Sequence, residues 1–331
     1  MAIVLVGHGS IGSYYRSLII EKYDEHDLYV IDTKESVLED LRRNQIKCFK
    51  NLDELKKENK KITYGIVANW GPDHISTANQ LIDIGCKKLI IEKPLSNRKD
   101  DLQNLKKRCL KEDIFVTIHH HFSYTNILEK IREAESEFNL GDPKGIRIIG
   151  GAICLSTNGT HFFDLSYDVL KSKPKYITAE LDLDYINPRD KKLLNIGGMA
   201  CYKMENKTFV NVSLSNENSE IYRVEIVYRN SLLKLGSNGK LKLFKRNMDD
   251  VKKYNDKITR YGELNFECDI NYQDLSSLDA IINNLINEKK PIVDIEKAEI
   301  STLMVIGAID SHIKGERIQY DNIDDHGLLI S

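Results

Sequence analysis

Ala2-Ile3-Val4-Leu5-Val6 is a short apolar run that leads straight into Gly7-His8-Gly9-Ser10-Ile11-Gly12. A helical stretch follows, then Leu28-Tyr29-Val30-Ile31 and the acidic Asp32, twenty residues past Gly12. A G-x-G-x-x-G alone is a weak signal, but strand, glycine turn, helix, strand and acid in this order form a dinucleotide-binding βαβ unit. Gly7 allows the tight turn, Gly9 lets the backbone approach a pyrophosphate, and Gly12 lets the helix pack closely on the strand. The pyrophosphate then faces the free N–H groups of Ser10 and Ile11 and the positive end of the helix dipole. Asp32 is suited to accept hydrogen bonds from the adenosine ribose. Its charge repels a 2′-phosphate, so the expected cofactor is NAD rather than NADP.

Working outward from this unit, helices and strands keep alternating. Lys34–Arg43 and Leu52–Asn59 read as helices, and Ile46–Phe49 as a short strand. Tyr64-Gly65-Ile66-Val67-Ala68 and Leu89-Ile90-Ile91 are apolar on both faces, as buried parallel strands are. A helix with Pro72 in its first turn, running to about Gly85, another over 101–110 and a strand over 114–118 complete a doubly wound parallel sheet near residue 120. In such sheets ligands bind beyond the carboxyl ends of the strands. Those ends carry Asn69–His74, Glu92-Lys93-Pro94 and His119-His120-His121.

The second half has a different pattern. Helices are expected over 123–138, from Gly159 to about Leu170, over 275–286 and over 298–313, and a strand over 145–153. Val210, Val212 and Leu214 alternate with Asn211 and Ser213, and Tyr222, Val224, Ile226 and Tyr228 with Arg223 and Glu225. Period two of this kind indicates an antiparallel sheet with one covered face. The expected domains are residues 1–120, binding NAD, and residues 121–331, an α+β domain for substrate binding and oligomerisation.

Composition narrows the function class. The 331 residues are 41% hydrophobic and 30% charged, with a net charge of −2. That balance argues against nucleic acid or a membrane surface as an electrostatic partner. No apolar run approaches the length of a membrane span. The six cysteines lack C-x-x-C spacing, and the first strand begins almost at the initiator Met. The expectation is a cytoplasmic protein with free thiols.

Four segments together resemble the Gfo/Idh/MocA family, the oxidoreductases related to glucose–fructose oxidoreductase and inositol dehydrogenase. They are Gly7–Gly12 with Asp32, the triplet Glu92-Lys93-Pro94, the G-x-H-x-x-D stretch Gly159–Asp164, and the closing helix Ala298–Gly315 with Ser311. The resemblance implies a Rossmann domain followed by an α+β domain whose open-faced, mostly antiparallel sheet forms homodimers or homotetramers. It implies NAD(H) or NADP(H), no metal, and a sugar, polyol or sugar-nucleotide substrate. It also implies a commonly cis peptide before Pro94. Lys93 matches the lysine that contacts the reacting hydroxyl, and His161 the catalytic histidine. Asn69, Trp70, His74, Glu92 and Lys93 fall where family members line the cofactor. Many members carry an Asp four residues before the histidine, where this chain has Thr157 beside Asn158. Others carry an arginine-containing stretch where this chain has the histidine triplet centred on His120.

These positions suit hydride transfer between nicotinamide C4 and a carbinol carbon, which needs a group to take up or return the hydroxyl proton. His161 can do so near neutral pH. Lys93 can polarise the oxygen as an ammonium or, with its charge disfavoured by burial beside a cationic ring, accept the proton itself. The two assignments stay open, as does a structural lysine before a proline turn. Lys93, His120, Thr157, Asn158 and His161 are the expected substrate contacts. Asn158 could instead cap a helix, and Trp70 could pack against the cofactor or anchor a loop. His119 and His121 share a strand face but lack a third ligand at metal spacing, so no metal is expected. Besides a dehydrogenase, two other readings are open: a redox-neutral NAD-dependent lyase, and an NAD-binding sensor of the same fold without catalysis.

Overall fold

The computed structural model describes residues 2–23, 27–151, 154–183, 187, 190–215, 218–254, 262–271 and 277–329. The expected strand end at Ala152 and Ile153 and the expected helix start at Leu275 and Ser276 lie outside these residues. The chain forms two compact units. One comprises Met1–Tyr124, Leu275–Thr302 and Asp325–Ser331; the other comprises Thr125–Asp274 and Leu303–Asp324.

The first unit is built from β1 (Ala2–Val6), α1 (Ser10–Lys22), β2 (Asp27–Ile31), α2 (Glu35–Arg43), β3 (Lys47–Phe49), α3 (Leu52–Lys56), β4 (Ile62–Val67), α4 (His74–Asp83), β5 (Lys88–Ile91), α5 (Lys99–Glu112) and β6 (Phe115–Ile118). The six strands are parallel, in the order β3-β2-β1-β4-β5-β6. All five residues of β1 are buried, because helices cover both faces of a doubly wound sheet and each face needs apolar side chains. Strand order reverses between β1 and β4, and the crevice at that reversal is where such sheets bind ligands.

The second unit opens with α6 (Ile127–Glu137), β7 (Gly145–Gly150) and α7 (Leu155–Leu170). Then come β8 (Pro174–Asp182), β9 (Gly197–Met204), β10 (Phe209–Leu214), β11 (Tyr222–Val227), β12 (Ser231–Gly236), β13 (Lys240–Arg246), α8 (Met248–Tyr254) and β14 (Leu264–Asn271). With a short final strand they form a nine-stranded sheet in which β7 and β10 pair in parallel and the other pairs are antiparallel. Tyr202, Val210, Val212 and Leu214 are buried on one face. Phe163 meets Tyr202 edge-on at 4.9 Å and Phe162 meets Tyr222 at 5.3 Å, seating α7 on the sheet. The opposite face presents Met199, Cys201, Asn211 and Ser213, with Met199 57% exposed. A shallow groove of about 510 Å³ runs there. On β11, Glu225 departs from simple alternation. It is buried among Arg223 at 3.2 Å and Arg147 and Lys234 at 3.7 Å.

The chain closes with α9 (Ser277–Asn287), α10 (Ile295–Lys314) and β15 (Ile318–Gln319). Here the contiguous blocks expected from sequence differ from the fold, since residues 275–302 return to the first unit. Ile281, Ile282 and Leu285 of α9 join the core of the parallel sheet. Asn284 accepts a hydrogen bond from Thr117 at 3.2 Å, and Lys88 Nζ donates to carbonyls at the end of α9. An amphipathic pattern marks a helix but carries no information about which sheet it will cover. No helix among the described residues is long and apolar enough to cross a membrane.

Candidate functional site

The glycine turn is shaped by two different constraints. Gly7 has φ +93°, and a Cβ there would lie 2.5 Å from the Asn69 backbone. A Cβ on Gly12 would overlap the carbonyl oxygen of Gly7. Both are glycine because the protein itself fills the space. Gly9 differs: its φ is −76°, and a Cβ would meet nothing within 4 Å. The open space lies at the N-terminus of α1, where Gly9 is the N-cap, no side chain caps the helix and the first turn holds no acid. A backbone cradle of this kind fits a pyrophosphate. Asp32 is held ready beside it. Its carboxylate accepts the His8 N–H at 2.8 Å and the Lys34 N–H at 2.9 Å, and each oxygen keeps a lone pair for a ribose hydroxyl.

The ends of β4 and β5 are tied together. The Lys93–Pro94 peptide is cis, and Lys93 is half-buried. His74 Nδ1 lies 2.8 Å from the Pro94 carbonyl oxygen, and its Nε2 lies 3.2 Å from that of Asn69. A neutral imidazole has one N–H, and the shorter contact assigns it to Nδ1. Burial holds this imidazole below its ordinary pKa, with the Pro94 carbonyl working in the other direction. Asn69 Nδ2 donates to Thr77 Oγ1 at 2.8 Å. Trp70, 36% exposed, precedes the single turn Gly71–Asp73.

Glu92 is buried, 5% exposed. Its Oε1 accepts from the Tyr15 hydroxyl and from His119 Nδ1, each at 2.8 Å. His119 Nε2 lies 3.0 Å from Ser277 Oγ, which is 3.1 Å from His121 Nδ1. Burial alone would raise the Glu92 carboxyl. The hydrogen bonds from His119 and Tyr15 and the Lys93 charge work against it, and Glu92 sits below the usual carboxylate range. His120 is fully buried.

In the second unit, Thr157, Asn158 and His161 lie in the first two turns of α7, all half-buried. Thr157 and His161 are four residues apart and so share a helix face. Cys154 is the N-cap, its Sγ accepting the Thr157 N–H at 3.4 Å. Asn158 Oδ1 accepts the Cys154 N–H at 3.3 Å. Asp164, the next turn on, is buried.

Comparison with known proteins gives this geometry a family. Residues 1–120 match the family described as "Oxidoreductase family, NAD-binding Rossmann fold", GFO_IDH_MocA. The chain carries the NAD-binding domain of the Gfo/Idh/MocA oxidoreductases. No curated protein matches it in sequence. Solved structures share the fold over nearly the whole chain. An NAD-binding protein from Listeria innocua has a TM-score of 0.77 at 15% identity, covering 98% of this chain and 99% of its own. The WlbA dehydrogenase from Bordetella pertussis, in complex with NADH and UDP-GlcNAcA, gives 0.74 at 15%, covering 96% and 97%. A super-repressor mutant of Gal80p from Saccharomyces cerevisiae gives 0.73 at 13%, covering 98% and 99%.

Within the Gfo/Idh/MocA domain, the structure brings Gly7, Gly9, Ser10, Ile11 and Gly12 into one turn with Asp32 bonded to it. Two residues expected to line the cofactor instead face inward. His74 lies between two carbonyls and supports the loops, and Glu92 is enclosed by Tyr15 and His119. In both cases a buried polar group is satisfied within the protein. In the second unit, α7 begins at Leu155 rather than Gly159. Gly159 sits inside the helix, where a Cβ would stand 3.1 Å from Leu155 Cδ1. Asn158 therefore lies inside the helix rather than capping one at Gly159, and its Oδ1 accepts the N–H of the N-cap Cys154. Sequence reasoning missed Tyr15 and Ser277. Tyr15 was findable, since it follows Gly12 by three residues and so returns to the inner face of α1.

Proposed function

We propose that the protein is an NAD-dependent oxidoreductase acting on a secondary alcohol or ketone of a sugar, polyol or sugar nucleotide, with Lys93 and His161 as its acid/base pair. The observation that carries this reading is the open space above Gly9 beside a preset Asp32, a cradle for a dinucleotide without a 2′-phosphate. The bound cofactor supplies hydride transfer at its nicotinamide ring. Lys93, on the half-buried loop at the end of β5, and His161, on the first turns of α7, supply the proton transfer and the charge for the reacting oxygen. The sugar-nucleotide class draws support from the WlbA complex, whose ligands are NADH and UDP-GlcNAcA. The free cysteines suit a reducing, cytoplasmic setting.

A panel of sugars, polyols and sugar nucleotides incubated with NAD+ tests the reading. At least one should yield NADH and a keto product. NAD-dependent product without net NADH would move the assignment to the redox-neutral lyase. A second reading, a cofactor-binding regulator, is favoured by Thr157 standing where many family members carry Asp and by the fold shared with a Gal80p super-repressor. NAD+ binding with no turnover on any compound would support it.

The open face of the nine-stranded sheet, with Met199 exposed over its groove, suits a homodimer or homotetramer. Light scattering at micromolar concentration should give a mass of two or four chains, and Met199→Asp should reduce it to one. A parent protein with the mass of one chain refutes the assembly.

A further inference from the structure

Glu92 is a buried charge for which proton transfer by Lys93 and His161 has no use. Two donors reach it: the Tyr15 hydroxyl and His119 Nδ1–H both point to Oε1 at 2.8 Å. On the far side of the imidazole, Ser277 Oγ lies 3.0 Å from Nε2, and His121 Nδ1 lies 3.1 Å from that hydroxyl. With neutral histidines every proton in this chain has a place: His121 Nδ1–H to Ser277, Ser277 O–H to His119, His119 Nδ1–H to Glu92. The carboxylate keeps its negative charge. Besides its two hydrogen-bonded neighbours, Tyr15 and His119, a charged group acting on it is Lys93, the next residue along.

Sheet order says what lies above it. Asp32 at the end of β2 takes the adenosine ribose, and the glycine turn after β1 takes the pyrophosphate. In the order β3-β2-β1-β4-β5-β6 the rest of the dinucleotide then extends over the ends of β4 and β5. At about 4.8 Å between strands, the end of β5 is roughly 10 Å from that of β1. The oxidised nicotinamide ring is a cation and the reduced ring is neutral. A fixed, enclosed carboxylate at this depth interacts with one and not the other.

We propose that the Glu92 carboxylate is the charge by which this site distinguishes the two redox states of the dinucleotide, favouring the oxidised form. The inference rests on the cofactor reading above. Tyr15 and His119 hold the charge in place, and Lys93 shares its field.

Titration calorimetry with NAD+, NADH and ADP-ribose on the parent and on Glu92→Gln tests it. Glutamine keeps the shape and an acceptor oxygen but loses the charge. The parent should bind NAD+ more tightly than NADH. Glu92→Gln should lose roughly tenfold in NAD+ affinity, the order expected for one unit charge in partly screened surroundings, with NADH and ADP-ribose within about twofold of the parent. Equal losses for all three, or an unchanged NAD+ affinity, overturn the inference and leave the cofactor reading standing. A parent that binds NADH more tightly than NAD+ overturns it whether or not the variant folds. A parent that binds none of the three overturns the cofactor reading itself, and this inference with it.

Discussion

Gly9→Ala should weaken NAD+ binding by at least about thirtyfold, a loss of roughly 2 kcal/mol, with the fold intact. The added methyl meets no protein atom within 4 Å, and φ −76° is open to alanine. Alanine there restricts the unfolded chain, which tends to stabilise by about 0.4–1 kcal/mol. Only a ligand using the space above Gly9 would notice the change. Gly12→Ala is the contrasting case. Its Cβ overlaps the Gly7 carbonyl oxygen, a backbone atom that cannot swing aside. The expected loss exceeds about 4 kcal/mol, in the range where folding itself fails. Thermal melts and NAD+ titrations of the two variants separate the roles. An unchanged NAD+ affinity in Gly9→Ala would remove the pyrophosphate from this turn.

Lys93→Ala should lower kcat by on the order of 10²-fold or more, the contribution of a positioned acid or base, while NAD+ still binds. The loop presenting Lys93 is independently fastened, through Pro94 to His74 and through Glu92 to Tyr15 and His119. Truncating the lysine therefore leaves its backbone where it was. The measurement is kcat and KM on whichever compound the substrate panel identifies, for Lys93→Ala, His161→Ala and the double variant. Groups acting as one unit give a double variant scarcely worse than the worse single one. Fully additive losses would mean that Lys93 and His161 serve separate steps. Full turnover in Lys93→Ala would return the residue to a surface lysine before a proline.

The parallel sheet was legible because its strands are apolar on both faces and each ends in a polar turn. The glycine turn was legible because three glycines at fixed spacing followed a strand and preceded a helix. The start of α7 was not. Cys154 is an uncommon N-cap, and Gly159 looks like a boundary although it serves close packing against Leu155. His74 and Glu92 show a second blind spot. Both are polar residues just past strand ends, where ligands bind, but polarity alone does not tell a side chain aimed at a ligand from one satisfied by a neighbouring element. That Glu92 would meet Tyr15, 77 residues earlier, and that His119 would meet Ser277, 158 residues later, depends on tertiary pairing that no local pattern encodes.

The return of residues 275–302 to the first unit bears on how the protein is made. The parallel sheet emerges from the ribosome early, yet Ile281, Ile282, Leu285 and the partner of Thr117 come only after residues 125–274 have been synthesised. At about 5–20 residues per second, those intervening residues take roughly 8–30 s. For that interval the nascent sheet lacks a helix belonging to its own core and carries exposed apolar surface. The later sheet has β7 to β14 by residue 271, and β15, which pairs with β8, comes later still. Synthesis thus leaves the first unit waiting for residues 275–302 and the second for residues 303–324, so both are closed only as the end of the chain is made.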